Sequence, residues 1–245
     1  MLDRLHLLNS VDRSKTYPDI EPRDAVSVIL VDRSSDPFRV LMGQRHASHD
    51  FMPGVFVFPG GAVEDADITF SRALSDSDCA RFSFLQTDLI GSACSSAPCW
   101  YGAALLRCGL RELFEETGVR LDEEADVNGF PPVGRFIFIA RALTPPGRRK
   151  RFDTRFFLID YSGPLGSFSD TDELSHLQWV NYNQAIDLPL HAMTRVILED
   201  VNDLLLRGST KSKDSIRLSQ PGMVPFYKME AGQFVRPFLE IQSSS

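Results

Sequence analysis

An α/β domain is the fold class this sequence predicts. Three observations carry it: a β-branched apolar run, AVSVILV, over 25–31; further short apolar runs near 39–44, 55–58, 133–142 and 152–161; and a helical stripe in WYGAALLRCGLREL over 100–113. Strands interspersed with helical segments indicate a sheet with helices packed on it. With 245 residues, 43% hydrophobic and 24% charged, a single well-packed domain over 1–245 with embellishments is expected.

The bulk charge narrows the partners. A net charge of −7 disfavours general attraction to a phosphate backbone, so no nucleic acid is expected. No run approaches the length of a membrane span, and the opening MLDRLHLLNS carries Asp3, Arg4 and His6 where a signal peptide needs an apolar core, so no membrane partner and a cytoplasmic location are expected. Cys79, Cys94, Cys99 and Cys108 form no CxxC pair and read as reduced thiols.

In chain order, a polar lead containing Pro18 and Pro22 precedes the strand at 25–31, and a turn over 32–37 returns the chain along RVLMGQ. The next loop carries Arg45, His46 and His49. Arg45 is the expected substrate contact there, because a guanidinium pairs with phosphate in a fork geometry. FVFPGGAVEDAD over 56–67 is a short strand running into a Pro-Gly-Gly turn and then three acids, and an insertion of mixed composition follows over about 68–99. In the helix after it, Ala103, Leu106, Leu110 and Leu113 make the core stripe, and Gly109 implies close packing against another element. Four consecutive cations, Arg148, Arg149, Lys150 and Arg151, precede the strand at 152–161 and could meet the anionic part of a substrate; Arg155 reads either as a second contact or as a buried partner of Asp153. A turn feeds the strand LQWV, a helix-rich segment follows over 183–206 with Asp200 and Asp203 expected to face water, and 208–214 reads as a linker. The tail, about 208–245, is apolar enough to dock on the domain or on a second copy, which leaves a homodimer open.

The chemistry sits in RELFEETGV over 111–119. Glu112, Glu115 and Glu116 fall on one helical face near the negative end of the helix dipole, closed by Gly118. Arg111 offsets part of that charge and a divalent cation would offset the rest; hard carboxylates suit Mg²⁺ or Mn²⁺.

RELFEETGV resembles the second half of the Nudix hydrolase signature, REUxEExGU with U aliphatic, at every position. Counting from Gly61 puts Asp67 at the first signature glutamate, with Glu64 a neighbouring substitute, and the gap from Asp67 to Arg111 is roughly 36 residues longer than the family's seven. FMPGVFVFPGG, the insertion and TPP…RFDTRFF together resemble the branch related to peroxisomal coenzyme A diphosphatases. The resemblance implies an α/β/α sandwich with a mixed sheet and a loop-helix-loop metal site. It implies that Glu112, Glu115, Glu116 and the carbonyl of Gly61 hold Mg²⁺ or Mn²⁺, that Arg111 orients the glutamates, and that Glu116 or Glu173 is the general base. The implied reaction is hydrolysis of the diphosphate in coenzyme A or an acyl-CoA. ADP-ribose, NADH or a dinucleotide are the alternative substrates, and a non-catalytic nucleotide sensor is the rival function.

Overall fold

The β-branched run at 25–31 lies at the centre of a mixed sheet. The computed structural model describes residues 4–46, 53–75, 100–121, 130, 135–161, 163, 168, 171–208 and 221–241. Its strands are β1 (Arg23–Asp32), β2 (Arg39–Arg45), β3 (Phe56–Val57), β4 (Gly60–Ala62), β5 (Ile137–Leu143), β6 (Phe152–Asp160), β7 (Leu174–Asn181), β8 (Met223–Glu230), β9 (Gln233–Val235) and β10 (Phe238–Glu240). Its helices are α1 (Arg4–Asn9), α2 (Asp65–Arg72), α3 (Tyr101–Thr117), α4 (Tyr182–Ala185) and α5 (Ala192–Gly208). The main path across the sheet is β10-β8-β5-β6-β1-β2-β3, with β4 on β1, β7 on β2 and β9 on β8. β1 runs parallel to β6 and β5 parallel to β8, while β2, β4 and β7 add antiparallel pairs.

Alternation along β1 divides the core in two. Val26, Val28 and Leu30 pack beneath α3 with Ala103, Leu106 and Leu113; Ile29 and Val31 face the other way, toward Val196, Ile197 and Val201 of α5 and Leu8 of α1. The result is the helix-sheet-helix sandwich expected from the sequence. Gly109 explains how closely α3 approaches. A Cβ built there would stand 2.9 Å from a Val26 methyl and 3.1 Å from a Val28 methyl. Both valines are held by their strand, and their χ1 is stiff.

Several expectations are corrected. The acids that follow the Pro-Gly-Gly turn open a helix that runs into the start of the expected insertion: α2 begins at Asp65, with Glu64 and Asp67 forming a reciprocal capping box and further acid in the first turn, where the helix dipole favours it. Asp200 does not face water. It is 9% exposed and accepts from the Tyr227 hydroxyl at 2.6 Å and Arg236 at 2.9 Å, tying α5 to the C-terminal segment. Asp203 pairs with Arg4 of α1 at 2.8 Å. The tail docks on its own domain, because β8 hydrogen-bonds into the sheet beside β5. Cys79, Cys94, Cys99, His49 and the linker at 209–214 lie outside the described residues.

Gly109→Leu should lower stability by about 1–3 kcal/mol through overpacking, read as a lower urea midpoint with an unchanged denaturant slope.

Candidate active site

Two elements far apart in sequence build the site. β4 lies antiparallel on β1 with Gly61 opposite Val26, the residue that Gly109 of α3 packs against. Strand and helix therefore meet at one point on β1, and the Gly60–Gly61 backbone abuts the last two turns of α3. A Cβ at Gly61 would fall 2.1 Å from Glu112 Oε1, so any larger residue there would push the Glu112 carboxylate out of its place. The Gly60 N–H donates to Glu116 Oε2 at 2.8 Å.

Helical spacing sorts the acids. Cys108, Glu112 and Glu116 are successive i,i+4 positions on the buried face of α3, whereas Glu115 is exposed. The carboxylate that joins Glu112 and Glu116 is Glu173, just ahead of β7, and each of the three offers an oxygen within 4.8 Å of the others. Pairing of Arg45 with Leu174 across β2 and β7 brings the adjacent Glu173 to this end of the sheet. Glu115, expected beside the other two helix acids, is placed outside this trio: its exposed carboxylate accepts from the same Arg111 Nη1 that reaches Glu112, at 3.0 Å.

Arg111 braces the cluster. Its guanidinium donates to both oxygens of Asp67, at 2.9 and 3.2 Å, to the Ala62 carbonyl at 3.2 Å and to Glu112 at 2.9 Å. Asp67, 1% exposed, is therefore the acid that meets Arg111 across the long sequence gap. Glu64 is not its substitute, because it is exposed at the cap of α2.

Burial, the shared site and loss of solvent act on the acids together. Desolvation, with Glu112 and Glu173 adding repulsion, pushes Glu116 up to about 8 against the opposing Gly60 N–H and Arg45. Glu112 is also raised, first by burial, with Arg111 opposing. Cys108, which the sequence presented only as a reduced thiol, sits at this site 3.6 Å from the Gly61 carbonyl. Burial and the neighbouring acids hold its thiol well above the usual range, so it stays protonated. Its i,i+4 spacing from Glu112 was the signal for its position.

The other predicted cations divide. Arg45 acts on the charge of Glu116 and also lines a cleft of about 420 Å³. The cleft has apolar walls from Val57, Ala142, Phe152 and Phe156, and Arg13, Arg148, Arg149 and Lys150 stand around it. Arg155 is corrected from a substrate contact to an interior ion pair: it is 1% exposed and donates to Asp24 at 2.6 Å and to the Asp153 carbonyl at 2.9 Å. Arg151 is held by Asp19 at 2.7 Å, the Ile20 carbonyl at 2.6 Å and the Thr144 carbonyl at 3.2 Å. Those contacts hold the N-terminal segment rather than leaving the side chain for a ligand.

No family model and no curated protein matches this chain. Solved structures do. The crystal structure of a Nudix hydrolase from Alicyclobacillus acidocaldarius aligns with a TM-score of 0.54 at 22% identity, covering 73% of this chain and 90% of that one. An Ap4A hydrolase of C. elegans in a binary complex gives 0.47 at 12% identity, covering 76% and 98%. The Nudix domain of Shewanella oneidensis NrtR with ADP ribose gives 0.46 at 16% identity, covering 83% and 99%. The first likeness establishes the fold: this chain is built as the mixed α/β sandwich of a Nudix hydrolase. Among the described residues no helix is long and apolar enough to cross a membrane.

The raised carboxyl of Glu116 has a sign that can be measured. Between the ordinary glutamate range and about 8, the folded state holds a proton that the unfolded chain has lost, so the metal-free protein loses stability as pH rises through that window. Glu116→Gln removes this dependence. Its melting temperature relative to the parent should climb between pH 5 and pH 8 in chelator, and a constant difference would contradict the assignment.

Proposed function

We propose that this chain is a divalent-metal-dependent hydrolase that cleaves the diphosphate linkage of a nucleoside diphosphate joined to another moiety, with coenzyme A or an acyl-CoA as the leading substrate. The observation that carries the reading is the convergence of Glu112, Glu116 and Glu173 within 4.8 Å, braced by Arg111 and Asp67. Three carboxylates so close, two of them buried, form a donor set that fits a hard divalent cation such as Mg²⁺ or Mn²⁺ and is unfavourable without one.

When bound, the cation supplies charge neutralisation at the phosphoryl oxygens and lowers the cost of deprotonating water. Glu112 and Glu116 would hold it, with the Gly61 carbonyl as a further oxygen donor. Arg111 fixes the Glu112 carboxylate from one side, and the Gly60 N–H fixes Glu116 from the other. Glu173 is the exposed member of the trio, open to water, and serves as the general base. A water oxygen attacks phosphorus and its proton passes to Glu173. The P–O bond of the diphosphate bridge breaks, and the bridging oxygen leaves with one product phosphate. Arg45, next to Glu116 and facing the cleft, orients the diphosphate.

The cleft supports a coenzyme A type of substrate over a compact one, since its walls suit an apolar chain and its surrounding cations suit further phosphate. A mass-spectrometric screen of coenzyme A, acyl-CoAs, ADP-ribose, NADH and dinucleotides with Mg²⁺ or Mn²⁺ tests the reading. Two phosphate-bearing products from at least one compound are expected. Tight nucleotide binding with no turnover of any would make the chain a nucleotide sensor instead.

Glu173→Gln should lower kcat by about 10²–10⁴, the usual contribution of a general base. Arg111→Ala should raise the metal concentration for half-maximal rate by about 10–100-fold, as loss of a residue that orients a metal ligand does. Glu115→Gln should cost less than Glu116→Gln, and the reverse order would restore Glu115 to the ligand set.

A further inference from the structure

The cleft contains a histidine with no part in the scheme above. His191 caps α5: its carbonyl accepts from Arg195 N at 3.1 Å, the first bond of the helix, and its ring Nδ1 accepts from Met193 N at 3.2 Å. The Met193 N–H bond fixes the tautomer. A nitrogen that accepts from a backbone N–H carries no proton, so in the neutral ring the proton sits on Nε2. The ring stays neutral at physiological pH, because burial, with Arg148 adding, pushes it down to about 4. Nε2 makes no hydrogen bond to any described residue, and His191 lines the cleft.

Capping alone does not call for this side chain. Asn, Asp and Ser cap a helix N-terminus best, and they reach the same N–H with a shorter group. The imidazole adds a rigid ring whose second nitrogen is a donor of fixed identity. The cleft wall also places it in reach of a ligand: Arg45, whose charge acts on Glu116, and Val57 of β3 line the same cleft. The parallel bridge between Phe56 and Leu190 and the bond from Phe56 N to the Pro189 carbonyl, 3.0 Å, anchor the segment that carries His191 to β3. The residue that carries the donor is therefore held to β3 by backbone contacts just ahead of it.

We infer that His191 is a specificity-determining residue whose Nε2–H donates to an acceptor oxygen on the part of the substrate that lies in the cleft, away from the scissile diphosphate. The inference rests on the reading of the cleft as the seat of a nucleoside diphosphate derivative. The oxygen is a carbonyl of the remote moiety or a phosphoryl oxygen, two sources with the same hydrogen-bond chemistry. A site built around a buried donor rejects an analogue that leaves the donor unpaired more strongly than an apolar wall rejects a change of size.

The His191→Asn variant separates the two duties of the side chain, since Asn keeps the cap on Met193 N and withdraws the donor from the cleft. Imidazole ¹⁵N spectra of the metal-free parent, where nothing turns over, are recorded while coenzyme A, dephospho-coenzyme A, ADP-ribose, NADH and a dinucleotide are added in turn. At least one should shift the His191 Nε2 resonance, and His191→Asn should bind that compound more weakly, about threefold to tenfold for a neutral carbonyl acceptor and more for an anionic phosphoryl oxygen. Its melting temperature should match the parent's, and in turnover the change should appear in KM with kcat within about twofold. A shift with coenzyme A that is lost with dephospho-coenzyme A identifies the phosphoryl oxygens of the ribose phosphate; a shift with both that is absent with ADP-ribose, which shares the diphosphate but lacks the amides, identifies a carbonyl. The inference is overturned if no compound moves the resonance, or if His191→Asn binds as tightly as the parent. A shift without hydrolysis of any compound keeps His191 as a ligand contact and overturns the hydrolase reading instead.

Discussion

Two carboxylates one helical turn apart, Glu112 at 9% and Glu116 at 5% exposure, are the constraint around which this structure is arranged. Buried like charges are costly unless something answers them. Here the answers come from three directions: the Arg111 guanidinium, the Gly60 N–H and, without a cation, the proton that Glu116 keeps. The Gly60 N–H reaches Glu116 because the backbone of β4 lies against α3, and that approach is set by Val26, which pairs with Gly61 on one side and meets Gly109 on the other. Packing of a few methyl groups thus fixes the electrostatics of the site.

The arginines illustrate how context decides the use of one side chain. Arg141 and Arg155 hold Asp153 and Asp24 inside the sheet end, with Arg141 to Asp153 at 2.6 and 2.8 Å. Arg111 holds Asp67 and Glu112 at the carboxylate cluster, and Arg45, whose charge acts on Glu116, lines the cleft. A planar fork with five donors suits all of these places, so residue type alone does not separate structural from ligand-facing arginines.

Much of the fold was legible because burial leaves a period in the sequence. The run at 25–31 is apolar on both faces because helices cover both faces of β1, and the stripe of α3 repeats every three or four residues because one side meets that strand. The face carrying Glu112 and Glu116 could be read the same way. What the period does not contain is the partner. Whether Glu115 or Glu173 completes the trio depends on β2–β7 pairing, and the choice of Asp67 over Glu64 depends on a capping box and a salt bridge formed across 44 residues. Asp200 looked like a solvated acid because Tyr227 and Arg236, which bury it, arrive from 27 and 36 residues downstream.

The pairing of Asp67 with Arg111 has a further meaning for how such a chain can change. α2 and α3 are locked to each other at the site, so the connection between them starts and finishes at fixed points. Closing a longer loop between fixed ends costs little, about 0.6 kcal/mol for each doubling of length. Spacing along the chain and integrity of the carboxylate cluster are thereby uncoupled, and a motif defined by counting residues can be broken while its atoms stay together. The salt bridge, rather than the count of residues, is what holds the two halves of the site in register.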